Sequence, residues 1–334
     1  MVAAAVLTPL GVPLPQGEAE DVLHALLGGA LGAGTDVAAG EISVALAGRV
    51  NGLGSSQVEE IVVPLVTEVL LSHVRSCESG EGVSSGLTAL AWIARALAMR
   101  KHKATDAVLD EMFSVLCDPE NNGQALSLGR TFSAVISTEH DALVDTWGWT
   151  AKLLWRQKLF VSLSSRLFAR LEQNKGEPDT LAGLHQVFSH LVKSVHFSVL
   201  KPSAKEVVRH LVASVPLLLS RDQAQAAGAL AANLETLKTA LADDAMRGVV
   251  EDEVGEAVAA LVAASGAGRH NGGRSSALLR RRALECIALL VRLPHHVLYP
   301  FFHEVRKQLD RCLDDDKREV RSVAGSTMRA WRTL

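Results

Sequence analysis

His296 and His303 stand seven residues apart, two helical turns, with His295, Glu304 and Cys312 nearby. On one continuous helix these donor types could hold a divalent metal. Pro300 falls between the two histidines, and a proline has no N–H to give to a helix ladder. No HExxH pair is present, and Cys77, Cys117, Cys286 and Cys312 lie far apart with no CxxC. Solvated or interface histidines are the simpler reading, and neither a metal nor another cofactor is expected. His185, His190 and His196 share no single helical face. There is no GxSxG elbow and no GxxxxGK[ST] loop, and the glycines of GGALGAG at 28–34 follow a helical pattern where a dinucleotide fold needs a strand. No catalytic residue is expected. What remains is basic: Arg280-Arg281-Arg282, and the cluster Lys317, Arg318, Arg321, Arg329, Arg332. The plain reading is solvated faces and dipole partners. The functional reading is a strip that docks acidic partners on a concave face, with Arg156, Arg292, Lys317, Arg318 and Arg321 as its candidates. Asp314, Asp315 and Asp316 lack the calcium-loop pattern and read as caps for the last helix. Of the five tryptophans, Trp147 or Trp149 is the better candidate for an exposed anchor, and Trp92, Trp155 and Trp331 read as core.

The elements that must carry these residues follow from composition and period. The chain has 334 residues, 48% hydrophobic, 21% charged and 4% aromatic, with a formal net charge of −3. It is too apolar and too evenly charged for disorder, and a charge this near zero offers no overall attraction to a polyanion. The cysteine spacing suits a reduced intracellular compartment better than a disulfide framework. MVAAAVLTPLGVPLP lacks the basic start of a secretory signal, and charges interrupt every long apolar run, so the chain reads as soluble, with no bilayer span. Val108, Leu109, Met112, Phe113 and Leu116 share one helical face, as do Val320, Val323, Ala324, Thr327, Met328 and Trp331. No strand-like alternation recurs. Helices are expected at 17–31, 36–50, 57–75, 86–100, 105–117, 120–137, 140–155, 158–173, 179–195, 203–219, 222–241, 246–265, 275–293, 300–313 and 317–332. Loops are expected at 76–86, 173–179 and 266–276, the last a flexible insertion. Asp118-Pro119-Glu120 reads as an N-cap with proline in the first turn, and Ser203 with Glu206 and Asp316 with Glu319 have capping-box spacing.

An internal repeat sets the architecture. At an offset of 98 residues without a gap, Leu191, Val192, Val195, Val199, Leu200 and Pro202 match Leu289, Leu290, Leu293, Val297, Leu298 and Pro300, and apolar matches continue beyond. One helix, a proline-marked bend and a second helix are used twice. The offset is about two units of helix-pair repeats of ~40–47 residues, the excess falling in the loop at 266–276. The expected fold is all-α, an α-solenoid of HEAT/armadillo-like helix pairs forming an ARM-type superhelix.

The run from Leu284 to Trp331 carries a more specific pattern: Arg292-Leu293-Pro294, then Val297-Leu298-Tyr299-Pro300, then Leu313-Asp314-Asp315 with Lys317-Arg318-Glu319-Val320-Arg321. Upstream stand Leu90-Ala91-Trp92-Ile93-Ala94-Arg95-Ala96-Leu97, Leu116-Cys117-Asp118-Pro119-Glu120, Trp155-Arg156-Gln157-Lys158-Leu159-Phe160 and the weaker ALAGRVNGLG at 45–54. These blocks, in this order, resemble the C-terminal HEAT repeats of the methyl-methanesulfonate-sensitivity-nineteen family. The resemblance covers about 41–331, a HEAT-repeat domain at 41–334 after a poorly matched segment at 1–40, and departs in the alanine-rich 223–275. It implies a non-enzymatic scaffold of the cytosolic iron–sulfur protein assembly (CIA) targeting complex, in cytoplasm and nucleus. Its implied partners are a CIA2-type adaptor, a WD-repeat propeller and apo iron–sulfur clients of DNA replication, repair and transcription, with no membrane and no direct nucleic-acid contact. The rival reading is a generic HEAT or armadillo-like interaction scaffold in transport, cytoskeletal or phosphatase assemblies. An α-helical enzyme would need a pocket of perturbed titratable groups that no motif here announces.

Overall fold

The computed structural model describes residues 16–33, 35–77, 80–138, 148–221, 223–268 and 274–333. Every regular element among them is helical, and the chain divides into two units, Met1–Ser194 and Val195–Leu334.

In the first unit the helices are α1 (Gln16–Leu31), α2 (Asp36–Gly52), α3 (55–76), α4 (Gly80–Met99), α5 (Ala104–Leu116), α6 (Ala125–Thr131), α7 (Ser133–Ile136), α8 (Trp155–Gln173) and α9 (Pro178–Lys193). α4 is the hub, packed by α1, α2, α3, α5, α7 and α8. It is the one described helix long and apolar enough to cross a bilayer, and 83% of that apolar window is covered by the protein itself. Pro64 lies inside α3, where a missing N–H would break a regular ladder. The helix widens into π turns on either side, Val58–Val62 and Leu65–Leu70, and stays continuous. The predicted loop at 76–86 is largely helix, because the glycines there serve packing: a Cβ on Gly86 would stand 2.4 Å from Cγ2 of Val74 on α3. The predicted helix at 120–137 is a 3-10 turn, Pro119–Gln124, followed by α6 and α7. Asp118 does cap that turn, accepting from the N–H of Glu120 at 3.0 Å. The predicted helix at 140–155 lies mostly outside the described residues, and 148–154 are irregular up to the start of α8.

The second unit holds α10 (Phe197–Leu200), α11 (Ala204–Leu219), α12 (Gln223–Ala242), α13 (Arg247–Asp252), α14 (Val254–Gly266), α15 (Arg274–Leu290), α16 (His295–Leu298), α17 (Phe302–Leu313) and α18 (Arg318–Trp331). Three pairs, α11/α12, α14/α15 and α17/α18, stack in order. α11, α14 and α17 form one row, and α12, α15 and α18 the other, each helix packing mainly on its neighbours in the row and on its own partner in the other, with α13 set against α11, α12 and α14. The repeat read from sequence is present in the backbone: α16, the 3-10 turn Tyr299–Phe301 and the start of α17 lie 98 residues after α10, the turn Lys201–Ser203 and the start of α11. The first helices of the pairs begin 50 and 48 residues apart, so the excess over a minimal repeat is spread over both units and includes α13. The predicted helix 246–265 is two helices, parted at Glu253, whose backbone leaves helical geometry at φ −109° and ψ 18°. Neither predicted capping box forms: Ser203 makes no side-chain cap bond, and the N-cap of α18 is Lys317. The centre of the predicted flexible loop, 269–273, lies outside the described residues.

Candidate docking surface

Four of the five basic candidates lie in the second unit, three of them at the start of α18 and one, Arg292, just after α15. Lys317 and Arg318 are exposed at the start of α18, and neither side chain has a carboxylate partner among the described residues. Arg321, one turn on, is exposed at its tip yet donates through Nη1 to the carbonyl of Asp315 at 2.5 Å. Arg292 donates to the carbonyl of Ala242 at 2.8 Å and to Asp244 at 3.0 Å, closing the C-terminus of α12. That is helix-end chemistry, a cation meeting the negative end of a dipole. Lys317 and Arg318 are therefore the free donors of this group, and Arg292 and Arg321 hold the fold as well. The fifth candidate, Arg156, belongs to the first unit and lies over the ring of Trp155, 4.8 Å from its centroid. The buried Arg95 approaches the same ring at 5.6 Å and Trp92 at 6.0 Å, donating to the carbonyls of Ala134 and Ser137 at the end of α7.

Two sequence expectations are corrected. The first concerns Trp149, read as an exposed anchor. It is buried, edge-on to Trp92 at 6.4 Å, because the segment carrying it is strapped down by Asn51. The Asn51 side chain donates to the Thr150 carbonyl at 3.1 Å and accepts the Thr150 N–H at 2.7 Å. Trp147 lies outside the described residues. The second concerns the arginine run at 280–282, read as a solvated face. Arg280 is fully buried, with Nε 2.7 Å and Nη2 3.1 Å from the two carboxylate oxygens of Asp315. Its Nη1 donates to the carbonyls of Ala267 and Gly268 at 3.0 and 3.3 Å and to Ser276 Oγ at 3.2 Å. Asp315 is thus spent on Arg280 and on the N–H of Lys317 at 2.8 Å. Of the three aspartates read as caps, it lies three residues before the first residue of α18, two before its N-cap Lys317, and serves a different purpose. Arg281 and Arg282 join a ladder of ion pairs across the second row: Glu319–Arg281–Glu285–Lys238–Glu235–Arg282. Burial works against the Lys238 ammonium, but hydrogen bonds to Glu235 and Glu285 overcome it and hold its pKa above the ordinary value. Arg280 on an otherwise apolar stripe of α15 was the one available hint, and it is weak, because Asp315 sits in a charged link between helices.

His295, His296 and His303 are exposed, Cys312 is buried against the Ser265 carbonyl, and the turn at Tyr299–Phe301 separates His296 from His303. Among the described residues no three His, Cys, Asp or Glu side chains converge to hold a metal ion. Burial pushes the Cys286 thiol far up and the Cys117 thiol up, the latter opposed by Arg170. Both are poor nucleophiles for that reason.

The helix-pair stack with basic residues at its exposed end is a shape met in interaction scaffolds, and comparison with known proteins sharpens it. The family described as RNAPII transcription regulator C-terminal, MMS19_C, matches residues 5–291. The chain belongs to that family. The matched span takes in the blocks at 45–54, 90–120 and 155–160 and ends where the Leu284–Trp331 run has just begun. Curated relatives include the MMS19 nucleotide excision repair protein homologs of Arabidopsis thaliana, 23% identical over 84% of this chain and 25% of the relative, and of Homo sapiens, 28% identical over 77% and 23%. The homolog of Bos taurus is 28% identical over 77% of this chain and 23% of its own length. The chain spans about a quarter of the length of these curated relatives. The names of the family and of these relatives refer to transcription and to nucleotide excision repair.

Proposed function

We infer that this chain is the docking module of a non-enzymatic scaffold in cytosolic iron–sulfur protein assembly. It holds a CIA2-type adaptor and a WD-repeat propeller, and helps deliver clusters, in cytoplasm and nucleus, to apo-proteins of DNA replication, repair and transcription. The observation that carries the reading is the family match over residues 5–291, joined to the ordered sequence blocks. The stacked helix pairs suit the role physically: two rows of helices present a long continuous face, and short exposed side chains on it can be read by several partners at once. Lys317 and Arg318 supply the charge for an acidic partner on the second unit, with Arg292 and Arg321 as further contacts there, and Arg156 is a separate candidate on the first unit.

The test is co-purification of the folded chain with a CIA2-type adaptor. Retention is expected, weakened about tenfold by Lys317→Glu with Arg318→Glu, at an unchanged Tm. A folded chain that leaves the adaptor in the flow-through sinks this assignment and returns the protein to the generic interaction-scaffold reading. Arg321→Glu is expected to lower the Tm, since it removes the donor to Asp315 as well as a surface charge.

A further inference from the structure

Within the first unit, the turn after α4 and the first turns of α8 enclose a shallow cleft lined by Lys101, His102, Lys103, Trp155, Lys158 and Ser162. Its acidic member, Asp106, is already engaged by Ser162 Oγ at 2.6 Å and by Arg166 at 3.4 Å. Lys103 and His102 share Glu59 at 3.3 and 3.6 Å, whereas Lys101 and Lys158 have no carboxylate partner among the described residues. Two positive charges therefore face an aromatic wall without a counter-ion. Of the seven large hydrophobic side chains the described residues leave exposed, three stand within two residues of the cleft's Trp155 or Ser162 in the chain: Leu153 at 83%, Leu154 at 55% and Val161 at 66%.

These apolar groups are held out in a fixed position. Besides the Asn51 strap on Thr150, the N–H of Lys152 donates to the carbonyl of Met99 at 2.8 Å, so the segment that ends in Leu153 and Leu154 is pinned to α2 and α4. Lys101 at φ 54° and Leu154 at φ 58° are the two described non-glycine residues with left-handed backbone; Lys101 lines this cleft and Leu154 immediately precedes its Trp155. Bulky side chains avoid that conformation unless the surroundings impose it, and such positions gather at binding sites. Lys158 and Val161, one turn apart on α8, set a cation beside an exposed apolar side chain.

We propose that this cleft docks a segment of a partner protein carrying an acidic residue flanked by apolar ones, with its carboxylate between Lys101 and Lys158. The acidic charge gives orientation and approach, and the apolar contacts give the residence time. This rests on reading the chain as a docking scaffold, though not on which assembly it serves.

The test is a fluorescence-anisotropy titration of the full chain with a short labelled peptide in which leucine, glutamate and leucine alternate with serines. Saturable binding is expected, weakened about tenfold by Lys158→Glu and by Lys101→Glu and by glutamine in place of the peptide's glutamate, with the Tm of each variant unchanged. Val161→Ser weakens binding without altering its salt dependence. No saturable binding, or equal binding of the glutamine peptide, overturns the proposal. So does a single-stranded oligonucleotide that binds more tightly than the peptide through the same lysines. A chain that binds the peptide but not a CIA2-type adaptor keeps this site and loses the assignment above, and the converse result does the opposite.

Discussion

Asp315 carries more of the second unit than any single aspartate on a helical surface would. Its carboxylate grips Arg280 with two hydrogen bonds, both side chains being 1% exposed, and through Arg280 it fixes the carbonyls at 267 and 268. Removing one partner of a buried pair strands the other charge away from water. Asp315→Ala is therefore expected to lower the unfolding free energy by about 3–5 kcal/mol in denaturant titration. Replacing the pair together, Arg280→Met with Asp315→Leu, should restore most of that loss, since an apolar pair removes the desolvation cost as well as the attraction. Sequence alone hid this residue because an Asp-Asp-Asp run beside lysine and arginine is indistinguishable from a solvated cap. Arg95 was hidden in the same way, a charged residue within LAWIARAL whose guanidinium turns out to end another helix.

At the scale of elements, the close crossing of α6 on α9 depends on two glycines. A Cβ at Gly129 would stand 2.4 Å from the carbonyl oxygen of Gly183, and one at Gly183 would stand 2.4 Å from that of Ala125. The obstacle is backbone, which cannot rotate aside. Gly129→Ala and Gly183→Ala should each cost about 1–3 kcal/mol, against the small gain alanine brings to an open helix. A second element contact sets a pH response. Lys201 in the turn before α11 pairs with Asp243 just past α12 at 2.6 Å, and that hydrogen bond holds the carboxyl below its ordinary pKa. A depressed carboxylate stabilises the fold fully above its unfolded value of about 4 and less as pH falls through its folded one. Asp243→Asn should thus lower the Tm slightly at neutral pH, with the gap from the parent closing as pH falls below about 4. Helix existence and phase were legible from the apolar spacing, as in α5 and α18. Their breaks were not: α13 and α14 part at Glu253, while the nearby Gly255 lies inside α14, and Gly86 lies inside a helix because a neighbour needs the room.

For the whole molecule, nearest-neighbour packing means that damage should stay local. Trp331 is buried in the second unit with its indole N–H on the carbonyl of Ile287 at 2.9 Å, and Trp92 is buried in the first. In Asp315→Ala, a variant whose sole tryptophan is Trp331 should unfold at lower denaturant than its parent, and one whose sole tryptophan is Trp92 should move far less. Equal shifts would mean that the two units unfold as one. The 98-residue repeat, the helical period and the ordered family blocks were all written in the chain order of side-chain types, because core-facing positions recur wherever the same packing recurs. They sufficed for an all-α stack of helix pairs and for the family. Which charges are free to meet a partner was decided only by folding. Arg280, Arg281 and Arg282 are alike in sequence, yet one is buried and two are laddered, while Lys101 and Lys158, far apart along the chain, line one cleft without a counter-ion. A charge's availability depends on which carboxylate another helix brings within reach, and that distance exists only once the helices have packed.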